Sequence, residues 1–201
     1  MWNSLEIVKL LVGIITPVVV ILLGILVTRL AKRMEALQWA RRTIIEKRIQ
    51  VYDEVAPQLN DLLCFFTLVG SWKDLPPPEI LSLKRYLDRK VQIALPFFSQ
   101  DLKISYNNFM SSCYKTYGLF GHDALLKGSI NAHRQVAGEK WDPEWDSLFV
   151  SEMSGIEGAA QREATKRSYD ELINTFAIEL GIGLEAPKLQ RSFSKYKTDD
   201  T

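Results

Sequence analysis

Residues 10–28 read LLVGIITPVVVILLGILVT, nineteen consecutive positions without a charged side chain. As a helix rising ~1.5 Å per residue they extend about 28 Å, which matches the ~30 Å hydrocarbon core of a bilayer. A helix buried in a soluble core keeps a polar stripe, and this run has none. A cleaved signal needs a basic leader and small residues before the cut. Here Glu6 and Lys9 offset each other, and the run closes on Val27-Thr28-Arg29-Leu30. The pattern therefore predicts an N-terminal transmembrane helix over 10–28. A short extracytoplasmic N-terminus, 1–9, precedes it, with Trp2 placed as an interfacial aromatic.

Within the run, Gly13, Pro17, Val20, Gly24 and Thr28 follow at steps of four, three, four and four, which puts them on one helical face. Thr16 adds a hydroxyl, and Pro17 cannot donate to the carbonyl of Gly13. Small residues on one face let helices approach closely in lipid. Two readings stand side by side. Gly, Pro and Thr are frequent in spanning helices whatever their role, or this is a self-association face, with a pore as one outcome.

Beyond 28 the pattern stays helical but becomes polar, and 29–50 reads as a basic juxtamembrane stalk continuing the spanning helix. Ile45, Tyr52, Val55, Leu59, Leu62, Phe66 and Val69 then recur at steps of three and four, with Arg48 filling the one gap. Pro57 lies off this seam and is expected to kink the helix. GSWKDLPPP, 70–78, is a loop by its punctuation. A helix over about 79–95 presents Ile80, Leu83, Leu87, Val91 and Ala94. After Pro96, Ser99 stands where it can cap a helix lined by Leu102, Tyr106, Phe109, Cys113 and Tyr117. From 118 to 158 periodicity decays into glycines and the run KWDPEWD, and a long irregular segment is expected. A last helix over about 159–180 should turn Tyr169, Ile173, Phe176 and Leu180 inward. Its i,i+4 pairs Glu163–Arg167 and Lys166–Asp170 mark a solvated face. The tail 183–201 is polar and basic, with the composition of a flexible segment. No strand-like alternation is found. The fold class is all-α: one N-terminal transmembrane helix continuing into a stalk, then a cytoplasmic helical bundle of about four helices, 51–182.

Charge orients this plan. Seven Lys or Arg against two Glu lie between 29 and 48, which places the C-terminal domain in the cytoplasm. Arg29, Lys32, Arg33, Arg41 and Arg42 either fix topology only or also bind anionic lipid headgroups. A formal net charge of +1 over 201 residues calls for no polyanionic partner in bulk. Lys84, Arg85, Arg89 and Lys90 form a local patch, either a solvated face or a contact for a protein or nucleic-acid partner. Cys64 and Cys113, far apart and each within an apolar helical pattern, read as reduced core residues. His122 and His133 have no partner at ligand spacing, and no phosphate loop or nucleophile elbow occurs. The sequence calls for no metal, no cofactor, no catalytic residue and no small-molecule substrate.

One stretch resembles a known group. Lys47-Arg48-x3-Tyr52-Asp53-x2-Ala56-Pro57-x-Leu59-Asn60-Asp61-Leu62-Leu63-Cys64 is followed by Gly70-Ser71-Trp72-Lys73 and Pro78-Glu79-Ile80. Lys84-Arg85-x2-Asp88 comes next, then Pro96-Phe97-Phe98-Ser99-x6-Tyr106-x2-Phe109-Met110. Over about residues 1–115 the chain resembles small single-pass bacterial inner-membrane effectors of antiphage defence, of the retron transmembrane type. The membrane accessory protein of type VI-B CRISPR loci has a similar plan. The resemblance implies an abortive-infection effector that damages or depolarises the inner membrane as a homo-oligomer. A reverse transcriptase with its RNA–DNA hybrid would hold it inactive. Nuclease-like members of such a plan, of the HEPN type, carry an arginine a few residues before a histidine. Tyr117, Thr116 and Lys115 precede His122 at that spacing, and Gly128, Lys127 and Leu126 precede His133. No arginine fits, so a ribonuclease is disfavoured. The alternative function is a membrane-tethered helical adaptor that recruits a protein or nucleic-acid partner and forms no pore.

Overall fold

Helix dominates the backbone of the computed structural model, which describes residues 4–116 and 124–182; the side chains of 4–14, 16–18 and 40 are outside that description. Five α-helices are described: α1 Ser4–Thr67, α2 Pro77–Ala94, α3 Gln100–Cys113, α4 Ile130–Ala137 and α5 Gly155–Glu179. Single 3-10 turns occupy Trp72–Asp74, Leu95–Phe97, Gly138–Lys140 and Pro143–Leu148. Two-residue strands β1 (Tyr114–Lys115) and β2 (Leu125–Leu126) pair antiparallel.

The chain divides into two compact units, Met1–Glu46 and Lys47–Thr201. In the first, every side chain from 19 to 30 is exposed, with Val20 at 61%, Val27 at 64% and Leu30 at 60%. Met34, Leu37 and Trp39 further along are exposed as well. Among the described residues, no helix is long and apolar enough to cross a membrane. The expected span 10–28 lies in part outside the described side chains, as do Gly13, Thr16 and Pro17.

The second unit holds the core. Val55, Leu59, Leu62 and Phe66 of the expected α1 seam are buried, joined by Phe65. Tyr52 is half-buried, while Ile45 and Val69 at the two ends of the seam are exposed. Helix α1 runs through Pro57, whose ring is exposed. It stops where Leu68 and Gly70 take φ of 58° and 61°. Pro76 and Pro77 start α2, where a missing N–H costs nothing. Ile80, Leu87, Val91 and Ala94 of α2 and Leu102, Tyr106, Phe109 and Cys113 of α3 are buried as the spacing requires, with Leu83 half-buried. Cys64 and Cys113 are buried and free.

Three expectations are corrected. The segment 118–158 is not irregular throughout: β2, α4 and two 3-10 turns occupy its described part, and Leu126, His133 and Phe149 are buried. Helix α4 is held by Ser129, whose Oγ accepts from the N–H of Ala132 at 3.2 Å and donates to Glu152 at 2.7 Å. Eight residues and two caps are too few for periodicity to register. The short strands were likewise not foreseen, since two residues carry no alternation. In α5 the inward stripe is Thr165, Leu172 and Phe176, while Tyr169, Ile173 and Leu180 are half-buried. Tyr117, His122 and the tail 183–201 lie outside the described residues.

A tryptophan-lined cleft as candidate functional site

In the second unit, two segments well separated in sequence meet at a cleft of about 530 Å³. One wall is the 3-10 turn Trp72–Asp74 with Pro76, Pro77 and Glu79 at the start of α2. The other is α4, through His133 and Val136, followed by Lys140, Trp141 and Trp145. The three tryptophans are neither buried nor fully exposed.

The run KWDPEWD supplies its own scaffold. Asp142 caps the turn Pro143–Leu148 by accepting from the N–H of Glu144 at 2.9 Å. Asp146 accepts the indole N–H of Trp141 at 3.0 Å and pairs with Arg134. Arg134 also lies over the Trp141 ring, 5.8 Å from its centroid. The hydrogen bonds from Arg134 and Trp141 hold the Asp146 carboxyl below the usual range. Trp141 and Trp145 meet edge to face at 5.3 Å.

His133, which lines the cleft, is buried, at 5% exposure. Its ring stacks on Phe65 at 4.0 Å and meets the edge of Trp72 at 5.3 Å. Nε2 is buried without a hydrogen-bond partner among the described residues. Burial lowers its pKa from 6.5 to about 4, against the opposing pull of Glu152. The imidazole is therefore uncharged near neutral pH, and brings one donor and one acceptor without a formal charge.

Among the described residues, none of the association-face, juxtamembrane or α2-patch residues lines this cleft, whereas His133, the run KWDPEWD and the Trp72, Lys73 and Glu79 of the resemblance do. Of the basic patch on α2, Lys84 pairs with Asp88, which also accepts from the Tyr106 hydroxyl at 2.8 Å. Lys90 pairs with Glu54 at 2.7 Å, while Arg85 and Arg89 are exposed. Arg29, Lys32, Arg33, Arg41 and Arg42 are exposed on α1, and Arg42 pairs with Glu46 at 2.9 Å. Val20, Gly24 and Thr28 are exposed, and the Thr28 hydroxyl donates to the Gly24 carbonyl at 2.7 Å. The cleft did leave a signal in the sequence: three tryptophans, Trp72, Trp141 and Trp145, stand in loop-forming stretches rather than on helical stripes. No family model matches the chain, and no curated protein or solved structure matches it.

Proposed function

We propose that the chain acts at a bacterial inner membrane, anchored by a transmembrane helix over 10–28, with a cytoplasmic helical bundle that receives a signal. The observation that carries this reading is the uncovered apolar surface of α1: from 19 to 30 no described residue shields the side chains from solvent. Leaving these nine large apolar groups in water is unfavourable by roughly 1.5–3 kcal/mol each, which favours an apolar medium around them. The basic residues that follow set the orientation. The resemblance of residues 1–115 supports a more specific form, an antiphage effector of the retron type. In that form it self-associates and depolarises the membrane once a reverse transcriptase with its RNA–DNA hybrid lets go. The basic stretch Lys84, Arg85, Arg89 and Lys90 of α2 is then the proposed contact for such a partner. The second reading, a tethered adaptor without pore activity, is supported by the cleft, which a pure anchor-and-pore device does not need.

Fractionation of cells expressing the full chain with a C-terminal reporter tests the anchor. The chain should stay with membranes through a carbonate wash, with the reporter active in the cytoplasm. Deletion of 1–28 should release it. Extraction by carbonate, or a periplasmic reporter, would sink the reading. Exchange of 10–28 for polyleucine separates the two forms, since it abolishes depolarisation by an effector and leaves an adaptor working.

A further inference from the structure

We propose that the tryptophan-lined cleft binds a nucleobase, carried either by a free mononucleotide or by an unpaired position of a single strand. This inference goes beyond the membrane reading and does not depend on it. Its first support is the exposed indole surface. Trp72 comes from the loop after α1, Trp141 and Trp145 from the loop after α4, and all three reach one cleft half-exposed. Indoles serving only the core would be buried as Phe65 and Phe109 are. Half-exposed aromatic walls are stacking platforms for planar rings. The cleft volume, about 530 Å³, falls within the ordinary range for small-ligand sites.

Charge then narrows the ligand. Lys73 and Lys140 line the cleft together with Asp74 and Glu79, so two positive groups face two negative ones. The two carboxylates oppose a polyphosphate. A quaternary ammonium, the usual guest of an aromatic cage, meets the lysines. A planar, uncharged heterocycle is opposed by neither. His133 adds a polar component to the lining: an imidazole held uncharged, whose Nε2 is buried and has no partner among the described residues. Nucleobases present neighbouring donors and acceptors along an edge, which a neutral imidazole complements and a purely apolar wall does not. The same polar floor weighs against a proline-rich peptide, the other common guest of tryptophan-lined grooves.

The test is isothermal titration of the full chain in detergent micelles. Probes are AMP, GMP, CMP and UMP, eight-residue oligo-rA and oligo-dT, ribose 5-phosphate, inorganic phosphate and a polyproline peptide. At least one base-bearing probe should bind, while ribose 5-phosphate and phosphate should not. Binding by mononucleotides identifies a free-nucleotide site, and binding by the oligonucleotides alone identifies a strand site; both support the proposal. Trp145→Ala should weaken binding by about tenfold, the loss of one base–aromatic stack, and Trp145→Phe should restore most of it. Trp72→Ala, on a separate loop, should act alike, and it substitutes if the Trp145→Ala melt shows unfolding. The proposal is overturned if no base-bearing probe binds the wild type. Equal binding of ribose 5-phosphate, binding of polyproline alone, or unchanged affinity in both folded tryptophan variants would overturn it as well.

Discussion

His133 and Arg48 show how one polar side chain can be organised by its surroundings. With a folded pKa of about 4 against 6.5, His133 makes the unfolded chain bind more protons between those values. Its stability contribution is therefore complete above about pH 6.5 and is lost as pH falls through about 4. Wild type should lose about 3 kcal/mol more than His133→Phe between pH 7 and pH 4. Urea denaturation at the two pH values measures it. Comparing the two proteins cancels other acid-labile groups such as Asp146, and Phe keeps a ring against Phe65. Equal losses would mean the imidazole is protonated in place. Arg48 was legible in part: it filled a gap in an apolar seam, an odd place for a guanidinium. Its partners were not legible. It donates to the Phe97 and Glu179 carbonyls, each at 2.6 Å, and pairs with the Glu179 carboxylate at 2.8 Å. The partner carboxylate lies far along the chain, and periodicity carries no information about such pairs. Ser99 is a similar case. It occupies the cap position of α3 as expected, yet its side chain makes no cap bond, and its backbone N–H donates to Glu179 at 2.9 Å.

Whole elements were readable where they are long and one-sided. The inward stripes of α2 and α3 follow the 3.6-residue period because each helix is covered on a single face. Helix α5 blurred the rule, because half-buried Tyr169 and Ile173 flank Leu172 and widen its stripe. The residues of 124–154 were unreadable for another reason. Their order comes from side-chain clamps, Ser129 with Glu152 and Asp146 with Trp141, rather than from a repeating pattern. Gly158, read as the close of that segment, has a specific task in the first turn of α5. A Cβ there would stand 2.6 Å from the Met153 carbonyl oxygen. Alanine gains up to about 1 kcal/mol in helix propensity over glycine. The clash is with backbone, which cannot swing aside, and overpacking of that kind costs typically 1–3 kcal/mol. Gly158→Ala should therefore destabilise the bundle by about 1 kcal/mol in denaturant unfolding. A stabilised variant would show that the chain before α5 moves freely.

At the scale of the whole molecule, the two units differ in what surrounds their apolar groups: the second holds a buried core, and the described side chains of the first are left open. The second is explained by this chain alone, and its fold was largely legible. On the proposed reading the first is covered by a membrane or by further copies, which no intrachain contact can identify. Gly24 makes the difference testable. Nothing lies within 4 Å of a Cβ built there, so within one chain the position tolerates a side chain. Leucine keeps the segment apolar, so insertion and orientation should survive. If copies approach along the face of Gly13, Pro17 and Gly24, an isobutyl group at Gly24 obstructs that approach. Gly24→Leu, alone or with Gly13→Leu, should abolish depolarisation in a membrane-potential dye assay at unchanged membrane abundance. Val19→Leu, exposed but off that line, should retain it. Because the substitution meets nothing in its own chain, lost activity would have to arise between chains. Equal depolarisation by the glycine variants and wild type would exclude this face as the working surface. A wild type that never depolarises cells, even without its proposed inhibitors, would leave the tethered adaptor as the function.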